Sequence, residues 1–278
     1  MFEPFAIKLG FLTYNIKNAM LKDDWMIVSA HDGRYQLFTQ HNHSILSGQF
    51  VPYWEDQLFI GAEYFKDVQL AVREHDRAWI PLDQTPIWNA DKKLPHSFMD
   101  YPQKPKLEAY TKGIDEVEQL SPYAGLLNSL HFLSFFKEKT TDSDISRFIS
   151  REIDRQNQIR EQLGIGSDEE IMDFHFKLLQ FCDDLSLYIC LNKPNVSKQE
   201  ENFMFREGFR QCFSGLNNKI TAYWVDEEVI ELKPFPFKAP FKVSIPYKEL
   251  TEEEVEEKGL EQAYRQSVER VRSVIISY

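Results

Sequence analysis

The strongest constraint in this chain is a set of ionisable side chains carried on apolar helical stripes. They are His43, the adjacent pair His75 and Asp76, His131 and Asp183. Each sits in or beside a stretch with helical hydrophobic spacing. Such a face packs inward, and an imidazole or carboxylate taken into a core needs a partner. One such residue is bland. Several on separate helices point to side chains that converge in a helical bundle, which is how bundles build metal sites. Imidazole with carboxylate suits a divalent ion, here iron, manganese, zinc, nickel or magnesium.

The elements follow from the pattern. Trp25 to Ser29 and Tyr35 to Thr39 read as strands joined at Asp32-Gly33, a favoured hairpin dipeptide. A helix runs from His41 to Trp54, with Leu46, Phe50 and Tyr53 in phase with His43. His41 stays an alternative to His43, although Ser44 and Ile45 give it a less apolar face. A second helix, Tyr64 to Ala78, leads through Val68, Ala71 and Val72 into His75-Asp76. Trp79 to Lys106 has no helical period and carries five prolines with Trp79, Trp88, Phe98 and Tyr101. It reads either as a lid on the site or as a strap over apolar helix surface.

A helix spans Leu107 to Leu120. Ser121-Pro122 then opens another, which runs to Lys137 and carries His131. Asp144 to Leu163 is helical and stops at Gly164. Ser167 and Glu170 form a capping box for a long helix to Leu191. On it Asp183 shares a face with Met172, Phe176, Leu179, Ser186 and Cys190. Lys219 to Glu231 and Phe241 to Ile245 alternate like strands. A charged helix is expected from Thr251, capped by Glu254, to Ile275.

The expected fold is therefore mainly α: a helical bundle with a small accessory sheet from N- and C-terminal strands. One domain is expected over 1–278, with a helical core at about 40–215, a hairpin at 25–39 and a β-rich and helical extension at 216–278.

Charge narrows the partners. Lys and Arg total 32 against 44 Asp and Glu, a formal net charge of -12. That argues against binding a nucleic-acid backbone or an anionic membrane surface. Met1 to Phe11 has Glu3 and no basic leader, so no export signal is read. Cys182, Cys190 and Cys212 lack CxxC spacing and read as core thiols of a cytoplasmic protein. Walker A, GxGxxG, GxSxG and HExxH patterns are missing from the sequence.

With these residues in hand, the chain resembles the HD-domain superfamily of metal-dependent phosphohydrolases. That superfamily places a histidine on an early helix, a His-Asp doublet at the end of a second, and an aspartate on a later one. The matching stretches are Gln40 to Leu46, Leu70 to Asp76 and Phe181 to Leu187. The chain is also similar to an uncharacterised bacterial family, domain of unknown function 3891. The stretches that carry this second likeness are Gln40 to His43, Glu74 to Asp76, Pro122 to His131 and Asp183 to Leu187. It spans roughly residues 25 to 245.

The HD resemblance implies an HD-like bundle with His43, His75, Asp76 and Asp183 as metal ligands. Asp183 rather than Asp184 takes the ligand position. It implies a small, phosphorylated substrate and metal-assisted hydrolysis, with Asp76 orienting water and His131 protonating a leaving group or holding phosphate. Trp79, Trp88 and Tyr101 would wall the pocket. The doublet is followed by Arg77, Ala78, Trp79 and Ile80, which departs from the superfamily's usual glycine and lysine. An HD-like diiron oxygenase and a non-catalytic metal- or ligand-binding sensor are the other readings, and homo-oligomerisation is left open.

Simpler roles stand beside these. His131 could be a hydrogen-bonded core histidine. His96 reads as surface. His175 lies eight residues before Asp183, about 12 Å along a helix, too far to share one ion. Arg147, Arg151, Arg155 and Arg160 alternate with acids and read as a solvated face.

Overall fold

A computed structural model of the chain describes residues 27–84, 88–89, 94–95, 101–136, 140–165 and 169–278. Met1 to Phe11, the strand start at Trp25, His96, Phe98, the Ser167 cap and the side chain of Trp88 lie outside the described residues.

In chain order the elements are β1 (Ile27–His31), β2 (Arg34–Phe38), α1 (Gln40–Phe50), α2 (Phe65–Glu74), α3 (Ile80–Asp83), β3 (Trp88–Asn89), β4 (Leu94–Pro95), α4 (Gln103–Leu120), α5 (Pro122–Leu133), α6 (Ser143–Leu163) and α7 (Glu169–Leu191). Then come β5 (Thr221–Trp224), β6 (Val229–Lys233), β7 (Phe241–Thr251), α8 (Glu252–Lys258), α9 (Leu260–Gln266) and β8 (Glu269–Ser277).

Local chemistry starts and stops these elements. Asp32 and Gly33 both have positive φ, 53° and 70°, which a two-residue hairpin turn requires. Thr39 Oγ1 accepts from Asn42 N and caps α1. Ser121 Oγ accepts from Ala124 N, with Pro122 as the first residue of α5. Gly164, at φ 63°, ends α6.

The expected fold class is wrong in one major respect. The sheet is not an accessory to a mainly α bundle. It is a six-stranded mixed sheet in the order β1-β2-β7-β8-β6-β5, curled into a half-barrel. Pairing is antiparallel except between β6 and β8. Helices α1 and α7 pack against it, and the main core lies between, from Ile27 and Phe38 through Leu179 and Leu185 to Val243 and Ile276. At the β1-β2-β7 end the other face is covered too, where α8 and α9 bring Val255, Leu260 and Ala263 onto Val28, Leu37 and Leu250.

The error traces to the C-terminus. The capping box at Thr251 and Glu254 does open a helix, but Gly259, at φ 76°, ends it. The expected helix to Ile275 gives way at Glu269 to β8, which pairs with both β7 and β6. Arg272 hid the strand pattern, because it occupies an inward position between Val271 and Val274. It is buried, stacks over Phe38 and Tyr247 at 4.9 and 5.8 Å, and donates to the carbonyls of Ile189 and Asn192 at the end of α7.

Smaller corrections have similar causes. The described residues after Asp76 include regular structure: a 3-10 turn at Arg77–Trp79 runs into α3, and β3 pairs with β4. Pro81 lies in the first turn of α3, where its missing N–H costs nothing. Arg155 is not on a solvated face. It is buried, bonds Glu152 at 2.9 Å and also pairs with Asp115 and Glu118, tying α6 to α4. Cys182 and Cys190 are core residues, whereas Cys212 is exposed. Among the described residues no helix is long and apolar enough to cross a membrane.

One close approach sets the geometry downstream of the doublet. A Cβ on Gly113 of α4 would sit 2.6 Å from Ala78 Cα, so α4 lies directly on the turn that follows Asp76. Gly113→Ala is expected to push that turn off α4, destabilising by about 1–3 kcal/mol as overpacked cores do. Thermal unfolding measures it. An unchanged melting temperature would show that the contact is looser than described.

Candidate metal centre

Helices α1, α2, α5 and α7 pack around one another, and each brings one part of the cluster. A Cβ on Gly48 of α1 would lie 2.7 Å from Arg73 Cβ on α2, so the first two helices touch almost backbone to backbone. His43 faces inward from α1, Asp183 from α7 and His131 from α5. The doublet follows the last residue of α2. Asp76 leaves helical geometry, at φ -109° and ψ 23°, so its carboxylate turns to the same side as His75. Asn128 Nδ2 caps the α2 end by donating to Glu74 O at 3.1 Å.

The tips meet. His43 Nε2 lies 2.9 Å from Asp183 Oδ1 and 3.2 Å from His75 Nε2. His75 Nε2 is 3.5 Å from both Asp183 Oδ1 and Asp76 Oδ2. His43 Nε2 is 3.7 Å from Asp76 Oδ2. His131 Nε2 lies 3.9 Å from Asp183 Oδ2. Ligand atoms bound at about 2.0–2.2 Å to one ion stand roughly 3–4 Å from each other, the range found here. His43, His75 and Asp183 form one buried group that could hold an ion, and His75, Asp76 and His131 a second.

The outer hydrogen bonds decide which ring nitrogens face the centre. His75 Nδ1 donates to Val72 O at 2.8 Å, since a carbonyl only accepts. Its Nε2 is therefore bare when the ring is neutral. Ser186 Oγ donates to Asp183 O at 2.9 Å, so it accepts from His43 Nδ1. Ser47 Oγ adds a donor 2.9 Å from Ser186 Oγ. His43 Nε2 is then bare as well. Two lone pairs and a carboxylate oxygen share one point, and only a cation between them relieves the repulsion. Outer partners of this kind orient metal-binding histidines.

The electrostatics agree. Burial would lower the His75 pKa, but Asp76 and Asp183 overcome it and push it up to about 9. Burial would raise Asp183, yet the neighbouring His43 and His75 imidazoles hold it well below the usual carboxylate range. Burial keeps Asp76 raised against both imidazoles. His131 is pushed down to about 3 by burial, with Asp183 opposing, so it is neutral near pH 7. Its Nδ1 is buried with no hydrogen-bond partner among the described residues. Without a metal, a proton on His75 serves as the cation.

The other expected residues are not members of the two metal-type groups. His41 Nε2 faces Glu74 at 3.6 Å, outside both metal-type groups. Trp79 and Tyr101 stack edge-on at 5.8 Å inside a second apolar cluster with Tyr110 and Phe132. His175 holds the loop before α2, accepting from Tyr123 OH at 2.7 Å and donating to Ile60 O at 2.7 Å. Asp184 is buried and bound by Arg210 and Gln211.

Ser47, Asn128 and Ser186 were not picked out as site residues. Helical spacing carried the signal: Ser47 is four residues after His43, Asn128 three before His131 and Ser186 three after Asp183.

The family profile described as protein of unknown function (DUF3891) matches residues 26–252, and the chain belongs to that family. No curated protein and no solved structure matches the chain.

Two outcomes are expected of this geometry. Ser186→Ala should weaken metal binding about 10–100-fold, because His43 loses the partner that sets its ring. Isothermal titration would read this, and equal affinity would mean that the hydroxyl orients nothing. Second, with His75 raised to about 9, its ring is protonated below that pH, and ligation must displace the proton. Metal uptake should release about one proton, and apparent affinity should climb with pH until near 9. Affinity independent of pH between 7 and 9 would contradict the sign.

Proposed function

We propose that this family member is a metal-dependent phosphohydrolase, with one divalent ion held by His43, His75, Asp76 and Asp183. The observation that carries the reading is the pair of imidazole Nε2 atoms 3.2 Å apart, each with its Nδ1 already bonded, beside the carboxylates. The likeness of the residue pattern to the HD-domain superfamily supports the same reading.

Burial differs around the cluster. The rings of His43, His75 and His131 are 0–2% exposed, while Asp76 and Asp183 are each 7% exposed. The imidazoles make the floor and the carboxylates the rim, so substrate approaches from the carboxylate side. A divalent ion there would supply an activated water at neutral pH and polarise a phosphoryl oxygen. Asp76 turns one oxygen toward the imidazoles, which leaves the other to orient that water. Neutral His131 carries one N–H, which it can donate to a phosphoryl or leaving-group oxygen. The turn at Arg77–Trp79 and the apolar cluster behind it hold Asp76 in place and keep bulk water from the floor.

One ion is favoured over two. Both metal-type groups include His75, and its Nδ1 is committed to Val72 O. A single Nε2 lone pair binds a single ion. That weighs against the diiron oxygenase reading, in which two irons need separate ligand sets.

Elemental analysis of the purified protein, paired with hydrolysis of p-nitrophenyl phosphate and its diester, tests the reading. About one divalent ion per chain is expected. Asp183→Ala should lose both ion and turnover, the latter by about 100-fold or more, as for removal of a group that stabilises developing charge. Asp184→Ala should keep the ion and show a lower melting temperature, since Gln211 loses its acceptor. Two irons per chain would favour oxygenation, and a chain without metal would point to the binding-protein reading.

A further inference from the structure

A substrate with an anionic group meets two carboxylates at this centre, Asp76 and Asp183, with Asp184 next to them in the chain, in a protein of net charge -12. Something cationic beyond the ion must offset them. Arg77, next to the doublet, is engaged elsewhere: its Nε bonds Glu116 at 2.8 Å and its Nη1 bonds Glu74 at 3.0 Å. Arg73 lies against Glu74 as well.

Arg210 differs from both. It lies in the stretch between α7 and β5 and reaches back to the helix that carries the ligand aspartate. Its Nε and Nη2 donate to the two oxygens of Asp184 at 3.0 and 3.3 Å. Gln211 Nε2 fixes the same carboxylate at 2.8 Å. Asp184 is buried, yet the Arg210 side chain is 61% exposed. One edge of the guanidinium is clamped, and its Nη1 makes no hydrogen bond among the described residues. Arg210 thus sits against the residue next to Asp183 in α7, and its charge acts on both Asp183 and the His131 ring.

We propose that Arg210, held in position by Asp184, is the anion-binding residue of this centre, and that its ligand is a phosphoryl group. Neighbouring aspartates divide the work: Asp183 faces the ion and Asp184 presets the arginine. A planar guanidinium suits this, because it can keep two N–H groups on Asp184 and offer others to a phosphoryl oxygen. His131 has a buried ring nitrogen without a hydrogen-bond partner among the described residues. The inference rests on the metal-centre reading and adds the substrate's charge to it.

The experiment titrates inorganic phosphate into metal-loaded protein, with metal content and melting temperature measured in parallel. Wild type should bind phosphate. Arg210→Ala should keep its metal and lose affinity about tenfold or more, as expected for one charge-assisted pair. Arg210→Lys should recover only part, since an ammonium cannot bridge both groups. Arg210→Gln retains a donor for Asp184 without the charge and covers the case in which the alanine variant folds poorly. Unchanged phosphate affinity in either folded, metal-loaded neutral variant would overturn the proposal. Wild type that holds metal but ignores phosphate would overturn the ligand class alone. Wild type without metal would remove the centre on which both readings stand.

Discussion

Two imidazole tips 3.2 Å apart in a water-poor core are the condition that the rest of this structure serves. Each ring is buried, and each is turned by a bond that its Nδ1–H donates, His75 to Val72 O and His43 to Ser186 Oγ. Facing lone pairs repel, and facing carboxylates repel more strongly in a low dielectric. The cluster is therefore stable only around positive charge. Without a metal, a proton on His75 meets that need; the same atoms are grouped so that they could hold an ion instead. The fold must bring four helices close enough for this meeting; Gly48 marks the close approach of α1 to α2, and Gly113 that of α4 to the turn after Asp76.

The sheet supplies the rigid side of that arrangement. The α7 helix carries Asp183 and Asp184 and lies against the half-barrel, so its register relative to α1 is held by the main core rather than by the polar cluster. Arg272 joins the two layers. From the inner face of β8 it stacks on Phe38 and Tyr247 and donates to carbonyls at the α7 C-terminus. Those carbonyls have no partner within their helix, and a cation there also complements the helix dipole. A buried arginine without a carboxylate is unusual. Here the exposed carbonyls and two aromatic faces replace the counter-ion.

Polar networks away from the centre follow the same logic of leaving few buried groups unmatched. Glu152, fully buried, has one oxygen bonded by Arg155, which also reaches Asp115 and Glu118 across to α4. His175 is satisfied at both nitrogens and anchors the approach to α2. Among the described residues, buried atoms without a hydrogen-bond partner near the centre include His131 Nδ1, Asn128 Oδ1 and His41 Nε2. Buried groups left unpartnered are where a ligand or solvent has work to do.

Much of the helical layer was legible in the sequence. The caps at Ser121 and Gly164, the hairpin at Asp32-Gly33, and the inward phase of His43, His131 and Asp183 all follow from local rules, because capping and 3.6-residue periodicity act within a few residues. The sheet was legible only in part: strands near β1, β2, β5, β6 and the start of β7 were expected, but not β8 or the six-stranded whole. Its central strand β8 carries Arg272 at an inward position, and only the distant α7 carbonyls and Phe38 make that position tolerable. The tautomers of His43 and His75, the clamp of Asp184 on Arg210 and the burial of Arg155 were likewise decided by contacts between residues far apart in the chain. Local sequence thus determined which side chains face inward from each helix. Tertiary structure alone decided what they meet there, because the partner that orients a buried polar group is set by packing between elements and not by spacing along one of them.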